Sequence, residues 1–175
     1  MTDWASARGA ESRPSARNPP PSHAPLPVPL SWPNGPPPAS SWPLRDFVEL
    51  DGLPGAVPSA RYHCRQALWE WQLPGLAEDA ELLVSELVTN AVAASTCSAS
   101  PVRLWLLSDT ARVLILVQDD SPHPPVRTQP GADAECGRGL LLVEAITSRW
   151  DWYVHQPGGV GKVTWALLEM RGPQG

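Results

Sequence analysis

Apolar residues recur at the spacing of a helix over residues 81–95, the stretch ELLVSELVTNAVAAS. The members of one apolar stripe lie three or four positions apart: Leu83, Leu87, Ala91 and Ala94. This spacing predicts an amphipathic helix over about 77–96. Glu86 and Asn90 lie four positions apart, on one face of that helix and along the margin of the stripe. A carboxylate and a carboxamide at the edge of a buried face need partners, so these two residues are the first candidates for a functional site.

The remaining hydrophobic pattern predicts two more helices and five strands. In chain order these are a strand at LRDFVEL, a helix opened by Pro58 and Ser59 and ended before Pro74, the helix described above, a hairpin that turns at Asp109–Thr110, a long loop, a helix at RGLLLVEAITSR, and a terminal hairpin of WDWYVH and KVTWALLEM. Helices layered on one face of a largely antiparallel sheet make an α+β fold, here an α/β sandwich.

The N-terminal part of the chain differs from the rest in composition. Twelve of the 22 prolines precede residue 44. Proline at this density removes backbone donors and prevents helix formation, so residues 1–44 are predicted to be a disordered, extended segment. Its tryptophans leave two alternatives open, which are docking of a partner and packing back onto the domain. The domain itself is expected over 45–171, followed by a short tail over 172–175.

Charge and cysteine content exclude several classes of protein. The net charge of -5 and the pI of about 5.3 disfavour direct binding of nucleic acid. No apolar run approaches the roughly 20 residues that cross a bilayer, and no signal peptide is visible, so a soluble cytoplasmic protein without a membrane partner is expected. Cys64, Cys97 and Cys136 are odd in number and widely spaced, which favours reduced, buried thiols over disulfides or a zinc site.

Two further features lie downstream of the Glu86–Asn90 pair. Asp119 closes a strongly apolar strand and stands directly before the long loop. After that loop, Gly137, Arg138 and Gly139 stand at the start of the third helix. Each feature alone is ordinary, since aspartates often form turns and glycines often permit tight backbone. Their order along the chain makes them informative together.

Four stretches together resemble the nucleotide site of the GHKL ATPases, the superfamily of gyrase, ninety-kilodalton heat-shock chaperones, histidine kinases and mismatch-repair ATPases. They are ELVTNAV (86–92), VQDDSPHPP (117–125), GRGLLLVEAI (137–146) and GKVTWALL (161–168). Within the superfamily the chain looks most like bacterial anti-sigma-factor serine kinases and their small actinobacterial relatives. The resemblance covers nearly all of residues 45–170 and implies a Bergerat-type ATP-binding fold with Mg-ATP as the cofactor.

The resemblance also implies roles for the two helix residues and for the strand end. Asn90 would hold Mg²⁺ through its amide oxygen, a hard ligand of the kind that this ion prefers. Glu86 would orient or deprotonate the attacking hydroxyl. Asp119 would accept a hydrogen bond from the exocyclic amine of adenine.

The phosphates would be bound by the segment at the start of the third helix. By the same resemblance, Gly137 and Gly139 would let backbone amides approach the phosphates, and Arg138 would help to hold them. Residues 120–136 would form a lid over the nucleotide. Lys162 and Thr164 occupy the last strand, where the family has its third conserved box, and would complete the ATP site.

Departures from the family pattern keep more than one function open. Asp120 adds a carboxylate close to a site meant for an anion, and Ala93–Ala94 stand where relatives often carry basic residues. One function is a protein serine/threonine kinase that phosphorylates an anti-anti-sigma antagonist and sequesters a sigma factor. The alternative is a non-catalytic partner-binding module with a degenerate nucleotide site. A structural domain whose motifs are accidental is the third. Trp150 and Trp152, on one face of a terminal strand, fit either the core or an interface, which leaves a homodimer open.

Overall fold

Five strands form a single sheet whose order is β1-β2-β3-β5-β4, with every neighbouring pair antiparallel. The computed structural model describes residues 41–95, 100–125, 139–154 and 161–170. The elements are β1 (Leu44–Leu50), α1 (Ala56–Glu70), a short 3₁₀ helix (Pro74–Leu76), α2 (Ala77–Ala94), β2 (Val102–Ser108), β3 (Arg112–Asp119), α3 (Gly139–Ile146), β4 (Arg149–Val154) and β5 (Lys162–Glu169). The predicted α+β class is confirmed.

The helix boundaries differ from the predicted ones by about two residues. Helix α1 begins at Ala56 because the Ala56 N–H donates to the Leu53 carbonyl at 2.8 Å. Pro58 therefore lies in the first turn, where a missing N–H costs nothing. Helix α2 begins at Ala77, as expected, and ends at Ala94. The predicted turn is also present, since Thr110 has a φ of 76° and Asp109 Oδ1 accepts from the Arg112 N–H at 2.8 Å.

All three helices pack on one side of the sheet. Alternate residues of β2, such as Leu104 and Leu106, face α1 and α2 and are fully buried in the larger of two apolar clusters. Cys64 lies in the same cluster as a free thiol, in agreement with the prediction, whereas the other two cysteines lie outside the described residues. This helix side is also the side on which α2 presents its apolar stripe.

A second apolar cluster lies on the opposite side of the sheet, which we call the outer face. Its buried members are Trp42, Trp105, Leu107, Leu114, Leu116, Val163, Trp165 and Leu167. Because side chains alternate along a strand, Trp105 and Leu107 point away from the helices between Leu104 and Leu106. The strands in the middle of the sheet are therefore apolar on both faces.

The tryptophans predicted on the terminal hairpin divide between the two sides. Trp150 and Trp152 pair with Ala166 and Thr164, which confirms that they share one face, and Trp150 packs against the helix-side core. Trp165 belongs to the outer face. Trp69, at the end of α1, is 62 % exposed.

The first described residues, from 41 onward, lie within the predicted N-terminal extension of residues 1–44. Trp42 is buried and β1 begins at Leu44. The prediction of an extended segment otherwise falls on residues 1–40, and the predicted tail over 172–175 also lies outside the described residues. Among the helices that the structure describes, none has the length and apolar character needed to span a bilayer.

Candidate functional site

Glu86 and Asn90 lie on the margin of the buried face of α2, as their spacing predicted. Both are partly buried, whereas their neighbours Leu83 and Leu87 are fully buried. Neither polar side chain has a hydrogen bond or ion pair with another residue in the described ranges. Polar groups on the edge of a core that have no protein partner are available to a ligand.

A surface groove runs along α1 and α2 beside Glu86. Its charged lining includes Arg61 and Arg65 from α1 and Glu81 from α2. Arg65 donates two hydrogen bonds to the Glu81 carboxylate, at 2.7 and 2.6 Å, although Glu81 is only 7 % exposed. These hydrogen bonds hold the pKa of Glu81 below its ordinary value. Glu81 is thus a structural carboxylate that joins the two helices, and sequence analysis did not single it out.

Asp119 and Lys162 form a buried ion pair at the ends of β3 and β5. The two residues are partners in the β3–β5 register, and their side chains are each 2 % exposed. Lys162 Nζ lies 2.9 Å from Asp119 Oδ1 and 2.8 Å from Oδ2. Burial raises the pKa of the Asp119 carboxyl, and the hydrogen bonds and charge of Lys162 oppose this shift. Two of the predicted site residues are therefore in direct contact.

The Asp119 carboxylate also organises the start of the loop that follows β3. Its Oδ1 accepts a hydrogen bond from the Ser121 backbone N–H at 2.8 Å. With the Lys162 contacts, three of the roughly four acceptor positions of the carboxylate are occupied. A ligand amine would have to use the remaining position on Oδ2.

Gly161 is needed for the close approach between the start of β5 and the end of β3. Its φ of +113° lies in the region that favours glycine, and a Cβ there would come within 2.3 Å of the Asp119 carbonyl oxygen. Sequence analysis did not name this residue as part of the site, although it opens the GKVTWALL stretch. Its position directly before Lys162 was the available signal.

One side-chain hydrogen bond connects the end of α2 with the loop after β3. Ser95 Oγ lies 3.1 Å from Asp120 Oδ1, so Asp120 has a partner at the end of the helix that carries Asn90. The contact shows that the C-terminal end of α2 and the end of β3 lie side by side. Asp120 was expected only to add unfavourable charge, and here it also has a structural role.

The structure describes the remaining candidates in part. Thr164 pairs with Val117 and is 6 % exposed, two positions along β5 from Lys162. Gly139 begins α3, which packs against α2 and β4. Gly137, Arg138 and the part of the predicted lid from residue 126 onward lie outside the described residues. In the described ranges no three His, Cys, Asp or Glu side chains group in a way that would hold a metal ion.

Comparisons with known proteins give one family match and several structural matches. A family model described as the histidine kinase-like ATPase domain matches residues 52–167. No curated protein sequence matches the chain. Solved structures do match, among them the crystal structure of the RsbU and RsbW domains of Rv1364c from Mycobacterium tuberculosis, which is 20% identical with a TM-score of 0.48. That match covers 77% of this chain and 33% of the other, so the chain spans about a third of that protein.

Proposed function

Because the chain belongs to the histidine kinase-like ATPase domain family, which implies binding of ATP, we propose that it is a Mg-ATP-dependent regulator that phosphorylates or sequesters a protein partner. The observation that carries the proposal is the pair Glu86 and Asn90. Both side chains lie on one face of α2, partly buried and without a partner among the described residues. A stable fold has no need of such a pair, whereas a phosphoryl-transfer site needs a base and a metal ligand.

Asn90 would provide the protein's contact with Mg²⁺. The donor chemistry fits, because Mg²⁺ takes oxygen ligands, keeps several waters and shares phosphate oxygens, so one carboxamide oxygen is a sufficient protein contribution. Bound Mg²⁺ would supply neutralisation of phosphate charge. Asn90 itself would fix where the phosphates lie along α2.

Glu86 would act as the base. In the proposed reaction, a serine or threonine Oγ of the partner forms a bond to the γ-phosphorus of ATP. The bond between that phosphorus and the β–γ bridging oxygen breaks, and ADP leaves with the electron pair. Glu86 accepts the proton of the hydroxyl, for which a carboxylate one helical turn from the metal ligand is suitably located.

The buried ion pair would form the floor of the adenine site. Asp119 would accept the exocyclic amine of adenine at the free position on Oδ2, while Lys162 neutralises its charge and Thr164 continues the same strand. Gly139 begins α3, and with Gly137 and Arg138 it would bring backbone amides and one cation to the phosphates. Lys162 would thus contribute to ATP binding through Asp119 and not by contact with phosphate.

A second candidate function is supported by the same ion pair. Lys162 and the Ser121 N–H together occupy three of the roughly four acceptor positions of Asp119, and Asp120 places another carboxylate beside it. Both features weaken the case for tight nucleotide binding. The alternative is a pseudo-kinase module that captures its partner without transferring phosphate.

The proposed partner is a sigma factor or an anti-anti-sigma antagonist, and the proposed outcome is control of transcription in the cytoplasm. No direct contact with nucleic acid or membrane is part of the proposal. Self-association as a homodimer is compatible with the proposal.

Transfer of the γ-phosphate of ATP to a candidate antagonist protein would test which function applies. The full chain would be assayed with and without Mg²⁺ as wild type, Glu86→Gln and Glu78→Gln, the last being an exposed glutamate on the same helix. A kinase-type site predicts Mg-dependent turnover that falls about 100-fold or more in Glu86→Gln and is unchanged in Glu78→Gln. Binding of ATP without turnover in all three proteins would support the pseudo-kinase module. Equal turnover in wild type and Glu86→Gln would contradict the role of Glu86.

A further inference from the structure

Lys162 differs from the other basic residues of the chain in its chemistry and in its contacts. It is the only lysine among the 13 Lys and Arg residues. Its ammonium nitrogen lies 2.9 Å from Asp119 Oδ1 and 2.8 Å from Oδ2, so it bridges both oxygens of the carboxylate. A lysine ammonium has three donors that rotate together, whereas an arginine presents a fixed planar fork. At most two of the three Lys162 donors can therefore point at the Asp119 oxygens.

The ion pair offers a ligand one donor and one acceptor side by side. In the described ranges the Lys162 ammonium has no hydrogen-bond partner besides Asp119, which leaves its third N–H free. Lys162 and the Ser121 N–H leave about one acceptor position on the Asp119 carboxylate, which lies on Oδ2. The free donor and the free acceptor thus belong to two atoms that are 2.8 Å apart.

Two kinds of purine match a neighbouring donor and acceptor. Adenine carries an exocyclic amine, which donates, next to a ring nitrogen, which accepts. Hypoxanthine has the same ring system, but a carbonyl oxygen replaces the amine and accepts, while the neighbouring ring nitrogen carries a proton and donates. Each base therefore presents one donor and one acceptor on this edge, in opposite order.

A carboxylate without the lysine would discriminate between these two bases. It only accepts hydrogen bonds, so the carbonyl of hypoxanthine would face another acceptor and remain unpaired. A site that leaves a hydrogen-bonding group unpaired rejects the wrong substrate by about 10⁴-fold or more. The Lys162 ammonium removes this basis for rejection because it supplies a donor beside Asp119. Thr164 lies two positions along β5, and its hydroxyl adds no preference because it can donate or accept.

We propose that the Asp119–Lys162 pair lets the adenine site also bind oxopurine nucleoside triphosphates, of which ITP is the simplest, and that Lys162 sets this base specificity. With adenine, Asp119 Oδ2 accepts from the exocyclic amine and Lys162 donates to the neighbouring ring nitrogen. With hypoxanthine, Lys162 donates to the carbonyl and Asp119 accepts from the ring N–H. This inference rests on the proposed function, because it takes the pair as the floor of the nucleotide site.

Calorimetric titration of the folded full-length wild type with three Mg-nucleotides tests the proposal. The nucleotides are ATP, ITP and purine riboside triphosphate, which carry an amine, a carbonyl oxygen and a hydrogen at the same ring position. The pair predicts dissociation constants for ATP and ITP within about tenfold of each other. Purine riboside triphosphate should bind at least about tenfold more weakly than both, because one of the two hydrogen bonds to a charged group is missing.

The outcomes separate this proposal from the proposed function. A preference for ATP over ITP of more than about tenfold would overturn the proposal and leave the proposed function intact. Equal binding of all three nucleotides would also overturn it, because the edge of the base would then make no contact with the pair. Absence of binding of all three would contradict the proposed function, and the proposal would fail with it.

A variant assigns the specificity to the lysine. Lys162→Met should weaken binding of ITP at least about tenfold more than binding of ATP, because only the oxopurine needs a donor at the carbonyl. Arg112→Met is the control, since it removes an exposed cation from the other end of β3 and should leave the ratio of the two affinities as in the wild type. An unchanged ratio in a folded Lys162→Met would overturn the role of Lys162.

A signal from Lys162 itself provides a readout that needs no variant. Because Lys162 is the only lysine, a chain labelled with ¹⁵N in its lysine side chains gives a single ammonium signal by NMR. Both Mg-ATP and Mg-ITP should shift this signal on binding. If Lys162→Met does not fold, this measurement and the wild-type titrations decide the question. A signal that stays unchanged while either nucleotide binds would overturn the proposal.

Discussion

The Asp119–Lys162 ion pair should be a main determinant of stability at the candidate site. We consider Lys162→Met, which keeps most of the side-chain volume and removes the charge. The variant leaves the Asp119 carboxylate 2 % exposed and without its cation. At the observed separation of 2.8 Å, the Coulomb attraction is about 6 kcal/mol for an effective dielectric constant of 20. Removing one partner of a buried pair strands the other charge, so we expect a loss of about 3–5 kcal/mol in the free energy of unfolding.

Restoring charge balance should recover most of that loss. In the double variant Lys162→Met with Asp119→Asn, the asparagine amide oxygen can still accept a hydrogen bond from the Ser121 N–H. This bond would stand in place of the 2.8 Å hydrogen bond that the wild-type Asp119 carboxylate accepts. The double variant should therefore be more stable than Lys162→Met alone, which gives a coupling energy of about 2 kcal/mol or more between the two positions. If Lys162→Met fails to fold, the double variant should still fold.

Urea unfolding at pH 7, followed by far-UV circular dichroism, measures these differences. The wild type, both single variants and the double variant form a complete cycle. The reasoning would be refuted if Lys162→Met lost less than about 1 kcal/mol in the free energy of unfolding, or if the losses of the two single variants added up in the double variant. Either result would show that the Asp119 and Lys162 side chains are solvated and do not form a buried ion pair.

Three further predictions concern other residues. Arg65 lowers the pKa of Glu81, so the stability that this carboxylate contributes is present above pH 4.5 and is lost as the pH falls through its lower folded pKa. Glu81→Gln should cost about 1–3 kcal/mol in the free energy of unfolding at pH 7, measured by urea unfolding, and should make that free energy less dependent on pH in the acid range. Gly161→Ala should cost about 2 kcal/mol or more in the same assay, because its Cβ would meet the Asp119 carbonyl, and no loss would exclude that contact. Burial raises the pKa of Cys64 to about 12. In a variant whose other two cysteines are serine, Cys64 should therefore react with DTNB only when the protein unfolds, and rapid reaction of the folded protein would contradict its burial.

The helical pattern of α2 was sufficient to locate Glu86 and Asn90 on the edge of the core. Both positions depend only on the local period of 3.6 residues, which the sequence displays directly. The strands and the Asp109–Thr110 turn were predictable for the same reason, because alternation and turn chemistry are local properties.

The ion pair of Asp119 and Lys162 could not be deduced from the sequence in this way. The two residues are 43 positions apart and meet only through the β3–β5 register, with Gly161 allowing the approach. The hydrogen bonds from Arg65 to Glu81 likewise depend on how α1 packs against α2. The outer face had a signal that was not used, since LWLL in β2 and VLILV in β3 are apolar on both faces, which is typical of strands buried on both sides.

Calorimetric titration of the folded full-length chain with ATP, in the presence and absence of Mg²⁺, tests the central claim most directly. The account predicts Mg-dependent binding by the wild type, at least about tenfold weaker binding by Asn90→Ala because a metal ligand is lost, and weaker binding by Asp119→Asn. Absence of ATP binding by the folded wild type would contradict the account, and the fold would then carry a site for a partner without a nucleotide.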